Sequence, residues 1–193
     1  ARCDVCARNH LMPDISQLSI NLATVRERYK LSEALDAVAR HGVPAVSPWR
    51  DQIAQAGLKN TRRQIRDIGL KVSGVCRGGM FPASDKAGIE ANLQDNARAL
   101  EEAVELEAAC LVLVVGGMPE GSRDLEGARQ QVQDGIAWLE ERTRPSGMKI
   151  AIEPLHPMYC ADRSVVSTMA QALDICDAVG GNVGLACDVY HIW

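Results

Sequence analysis

Long apolar runs, a basic surplus and a paired-cysteine framework are all missing from this sequence, and each absence removes a class of protein. No stretch approaches the ~20 apolar residues that span a bilayer, and the opening residues, Ala1 to Pro13, hold no apolar core of a secretory signal. A soluble, cytoplasmic chain with no membrane partner is the expectation. Lys and Arg number 21 against 25 Asp and Glu, for a net charge of −4. The basic residues are scattered, so no stripe exists to neutralise a phosphate backbone, and a nucleic-acid partner is disfavoured. The 7 cysteines are odd in number and irregularly placed, at 3, 6, 76, 110, 160, 176 and 187, which argues against a disulfide-stapled secreted domain. Cys3, Cys6 and His10 have the spacing of half a zinc site, but no second Cys/His pair follows at a fitting distance. Residues 1–13 therefore read as an irregular leader and 14–193 as the domain.

What is present is a core. Hydrophobic residues make up 47% and charged residues 24%, the balance of a globular domain. Six β-branched or apolar runs read as strands: Gln17 to Leu22, Ala45 to Ser47, Lys71 to Cys76, Cys110 to Val115, Lys149 to Glu153 and Val183 to Asp188. Helical periodicity fills the gaps, as in Leu31, Leu35 and Val38 or Ile89, Leu93, Leu100 and Val104; the connection from Asn60 to Ile68 is the least periodic. Gly42, Gly57, Gly69, Gly147 and Gly180 each close a helical pattern just before a strand. A continuous apolar strand such as Leu111-Val112-Leu113-Val114-Val115 belongs in a parallel sheet covered by helices.

Two architectures satisfy that alternation, a closed barrel and an open doubly wound sheet. The open sheet wants a Gly-rich phosphate turn after its first strand, and Asn21-Leu22-Ala23-Thr24 supplies none. Gly116-Gly117 after strand four reads as a flexible turn at a pocket mouth. A barrel needs about 250 residues, so 193 residues are short for one.

Barrel chemistry sits where strands end. Six of the few aromatics fall there, Tyr29, Trp49, Phe81, Tyr159, Tyr190 and Trp193, as loop packing or substrate contact. Strand five ends at Glu153 with His156 beyond it, and strand six ends at Asp188 with His191 beyond it. Neighbouring strand ends lie roughly 5 Å apart. Two carboxylates that close conflict unless a cation lies between them. Metal binding and plain pairing to Arg or backbone N–H groups stand open together at this point.

At these residues the sequence resembles the sugar phosphate isomerase/epimerase family of xylose isomerase-like TIM barrels, from about Asp14 onward. Glu153-Pro154-Leu155-His156-Pro157 and Asp188-Val189-Tyr190-His191-Ile192-Trp193 carry the likeness, with support from Ser47-Pro48-Trp49-Arg50 and Gly116-Gly117. The resemblance implies an α/β fold, a (β/α) TIM barrel incomplete at about six of eight strand–helix units. It implies Glu153 and Asp188 as metal ligands, Glu153 and His191 as catalytic residues, and His156, His191, Trp49 and Arg50 as substrate contacts. The cofactor would be a divalent metal, Mn, Mg, Co or Zn. The family's other two ligands, on strands seven and eight, have no counterpart before Trp193. The implied reaction removes a proton next to the carbonyl of a sugar or sugar-like substrate and passes through an enediolate. An endonuclease IV-like zinc phosphodiesterase and a non-catalytic barrel fragment are the alternatives. Unpaired edges on strands one and six predict self-association, including homo-oligomers.

Overall fold

A computed structural model describes residues 14–192. The Cys3, Cys6 and His10 spacing and Trp193 lie outside the described residues.

The first two strands are β1 (Ser19–Asn21) and β2 (Ala45–Ser47), paired in parallel with Ile20 opposite Val46. The third expected strand is split into β3 (Lys71–Val72) and β4 (Val75–Gly79). At the break the Ser47 hydroxyl donates to the Gly74 carbonyl at 2.9 Å, and the Ser73 and Ser19 hydroxyls meet at 2.6 Å. Backbone bonds to the second strand persist on both sides, from the Ser73 N–H to the Val46 carbonyl at 2.9 Å and from the Cys76 N–H to the Pro48 carbonyl at 3.1 Å, so the hydroxyl bond supplements the ladder. β2 nevertheless follows both halves, pairing with β3 and then bridging Trp49 to Cys76 of β4. β5 (Cys110–Val114), β6 (Lys149–Ile152) and β7 (Val183–Leu185) extend the sheet, all parallel and in chain order. Counting β3 and β4 as one interrupted strand, six strand positions line up, and β1 and β7 do not pair with each other. This is an incomplete barrel.

The apolar strands are two-sided. In β5, Leu111 and Leu113 are fully buried in the core, while Val112 and Val114 line a cleft on the other face. The helices that cover the first face are α1 (Leu31–Arg40), α2 (Arg50–Ala56), α3 (Leu58–Ile68), α4 (Lys86–Glu105), α5 (Leu125–Thr143) and α6 (Met169–Val179). A short α7 (Val189–Ile192) follows β7. The second connection holds two helices where periodicity showed one. They are joined at Gly57, which adopts a φ of 86° and so precedes a helix and not a strand. Only glycine enters that region cheaply.

Two packing features fix the strand ends. The buried Asn96 of α4 accepts from the Gly79 N–H and donates to the Gly79 carbonyl, both at 2.6 Å, locking the end of β4. Phe81 is 2% exposed and lies against Gly135 of α5, where an added Cβ would sit 2.2 Å from the ring. It therefore belongs to the core between sheet and helix, not to the aromatic rim expected at the mouth.

Candidate metal centre

The ends of β6 and β7 are held together by backbone bonds that outlast the strands. The Glu153 N–H donates to the Leu113 carbonyl and the Ala186 N–H to the Ile152 carbonyl, each at 2.9 Å. Asp188 then caps α7, its side chain accepting from the Tyr190 N–H at 2.8 Å and its carbonyl from the His191 N–H at 2.9 Å. One turn of helix after the cap carries His191 back over the strand ends. Ligand atoms of Glu153, Asp188 and His191 consequently all lie within 4.8 Å of one another. They open into a cleft of about 800 Å³ lined also by Asn21, Ser47, Trp49, Cys76 and Arg77.

Burial, and after it the adjacent Asp188 charge, pushes the Glu153 carboxyl up from 4.5 to about 7; Arg77 opposes this. Burial also raises the Cys76 thiol to about 11, leaving it a neutral part of the wall. Neither Glu153 nor Asp188 forms an ion pair among the described residues, Arg77 acting on Glu153 without contact. Two half-buried carboxylates facing one another without a cation suit a divalent metal and its preference for hard oxygen donors. His191 is fixed differently. Its Nδ1 accepts from the His156 N–H at 3.2 Å, and Tyr159 and Tyr190 approach its ring edge-on at 5.6 and 4.9 Å. In the neutral ring the proton then resides on Nε2.

The model of the xylose isomerase-like TIM barrel matches residues 35–193. The chain belongs to that family. Protein SMc04130 from Sinorhizobium meliloti 1021 has a solved structure that is 53% identical over 93% of this chain, with a TM-score of 0.91. The IOLI protein with a binding zinc atom (23% identity, TM-score 0.75) and D-psicose 3-epimerase in the presence of D-fructose (19%, 0.75) share the fold, each over 90% of this chain. The chain spans 65%, 63% and 63% of the lengths of these three proteins. Comparison with curated proteins gives no match.

Within this xylose isomerase-like frame, Glu153, Asp188, His191 and Trp49 meet in the one cleft. Trp49 commits its Nε1–H to Asn21 at 2.8 Å and leaves its ring as wall. Arg50 does not join them. It turns outward and binds Asp95 at 2.8 Å and Glu102 at 2.7 Å on α4, because a guanidinium at the start of α2 is better satisfied by two carboxylates than by an open cleft. His156 also departs from its expected place: Leu155 lines the cleft, and the His156 Nδ1 instead accepts from the Met158 N–H at 3.3 Å in a 3₁₀ turn. Its backbone orients His191. Arg77 escapes the sequence reading because the expected third strand ends at Cys76, three residues short of Gly79; a charged side chain beside an apolar strand was the available signal.

Proposed function

We propose that this chain carries the carboxylate half of a metal site in an isomerase or epimerase acting on a sugar or polyol by proton abstraction next to a carbonyl. The observation that carries the reading is the convergence of Glu153, Asp188 and His191 at adjacent parallel strand ends. Glu153 and Asp188 would hold a divalent metal. When bound, it supplies a Lewis acid that polarises the substrate carbonyl and acidifies the neighbouring C–H.

The chain's own residues do the rest. A carboxylate has two oxygens, so Glu153 offers one to the cation and keeps one for the substrate. That oxygen takes the proton from the carbon beside the carbonyl, the C–H pair becomes the new C=C bond, and the carbonyl π pair moves to oxygen. A carboxylate placed within reach of the C–H is the general base such a transfer needs. His191 donates its Nε2–H to a substrate oxygen, since Nδ1 is already occupied by the His156 N–H. The Trp49 ring offers an apolar wall to the C–H face of a sugar, and Leu155 adds apolar lining to the same cleft as Glu153.

Solvent exchange tests this without requiring full turnover. The chain, supplied with Mn²⁺ or Co²⁺ in D₂O, is expected to wash deuterium into the position next to the carbonyl of a ketose, read by NMR. Glu153→Gln should abolish exchange, and His191→Gln should lower it by roughly 10²-fold or more. Exchange that persists at the wild-type rate in Glu153→Gln would sink the assignment.

A further inference from the structure

Three arginines line the cleft, and their circumstances differ. Arg26 is already paired with Asp51 and lies over the Trp49 ring at 5.3 Å. Arg163 is exposed, pairs loosely with Asp162 at 3.6 Å and lies over the Tyr159 ring at 4.8 Å. Arg77 stands apart. It is the half-buried centre of β4, between buried neighbours, and among the described residues its guanidinium has neither ion pair nor hydrogen bond.

An arginine on a strand locked by Asn96 is a placed group, unlike one on a loose loop. Its five N–H donors form a planar fork that matches a carboxylate or a phosphate. Leaving such a fork half-desolvated and empty is costly. The charge count of the cleft points the same way. Among the described residues Glu153 and Asp188 are the only acids in its wall, and a divalent cation between them cancels both. Arg77 then remains as positive charge without an ion pair among the described residues, facing the ligand, while Arg163 keeps Asp162 at 3.6 Å.

On the proposed reading of this cleft as a metal-dependent sugar site, we infer that its substrate is anionic, carrying a carboxylate or phosphate that Arg77 receives, with Arg163 at the rim. A neutral ketose would leave the fork empty. The anionic end binds at Arg77 while the carbonyl end reaches Glu153, so Arg77 selects the substrate and sets which carbon is presented to the base.

Calorimetric binding to the full chain, with and without Mn²⁺, tests this using three unreactive polyols: D-sorbitol, D-gluconate and D-sorbitol 6-phosphate. One anion should bind roughly tenfold or more tighter than sorbitol, the worth of a charge-assisted bond. Gluconate ahead identifies a carboxylate, and the phosphate ester ahead identifies a phosphate. The preference should vanish in Arg77→Gln and return in part in Arg77→Lys, which also stands in if the glutamine variant does not fold. Equal affinity for all three, no binding of any, or a preference that survives Arg77→Gln overturns the inference. Metal uptake read on the same samples separates the two readings. Anion preference without metal uptake keeps Arg77 and removes the metal enzyme; uptake without preference does the reverse.

Discussion

Glu153 and Asp188 illustrate what a single carboxylate at the end of an apolar strand entails. Each is kept half-buried by strand pairing that continues past the last residue of the ladder, and the two charges then oppose one another. With Glu153 raised from 4.5 to about 7 by burial and Asp188, its linkage to stability has a fixed sign. A carboxyl raised on folding binds its proton more tightly in the folded chain. The stability it gives is full below about 4.5 and is lost as pH rises through about 7. In the metal-free chain, Glu153→Gln should therefore gain about 1–3 kcal/mol relative to wild type between pH 5 and pH 8, after allowance for partial solvent screening. Paired thermal melts at the two pH values check this; an unchanged difference would mean the carboxyl is not desolvated. These two residues were legible in the sequence because charge stands out at the end of an apolar run. Arg50 was not, since a position on a loop says nothing about which way a long side chain turns.

Elements show the same division between pattern and packing. The strand–helix alternation follows from periodicity, and β2 and the start of β5 fall where the residues placed them. The break between β3 and β4 is not legible in the sequence, and the Ser47 and Ser19 hydroxyls that meet it are remote in sequence and reach the third strand only after folding. Phe81 likewise reads as a loop aromatic until Gly135 brings α5 against it. Gly135→Ala should cost about 1–3 kcal/mol by overpacking against that ring; a melt unchanged from wild type would show that α5 can shift away. Arg50 ties α2 to α4, and its bond, opposed by burial, holds the Asp95 carboxyl below its ordinary value. Arg50→Ala should destabilise by about 1–3 kcal/mol while leaving metal uptake unchanged. Loss of uptake with intact stability would return Arg50 to the site.

At the scale of the whole molecule, six strand positions make a sheet whose outer members, β1 and β7, have no strand partner on one side among the described residues. Beyond β7, Val189 is 79% exposed and Tyr190 61% exposed. Exposed strand edges beside apolar side chains recruit further chains. The 193-residue protein should therefore self-associate, with a light-scattering mass that rises with concentration; a constant monomer mass would contradict this. No helix among the described residues is long and apolar enough to cross a membrane.

These scales meet at the strand ends, where the fold brings two like charges together without an ion pair to either among the described residues. Metal content of the purified chain, measured by elemental analysis after equilibration with Mn²⁺, Co²⁺ or Zn²⁺ and compared with Glu153→Gln and Asp188→Asn, tests that most directly. Near-stoichiometric uptake by the wild-type chain that is lost in both variants is the result expected from their placement. Uptake by neither the wild-type chain nor the variants, or equal uptake by all three, would show that Glu153 and Asp188 do not form a metal site.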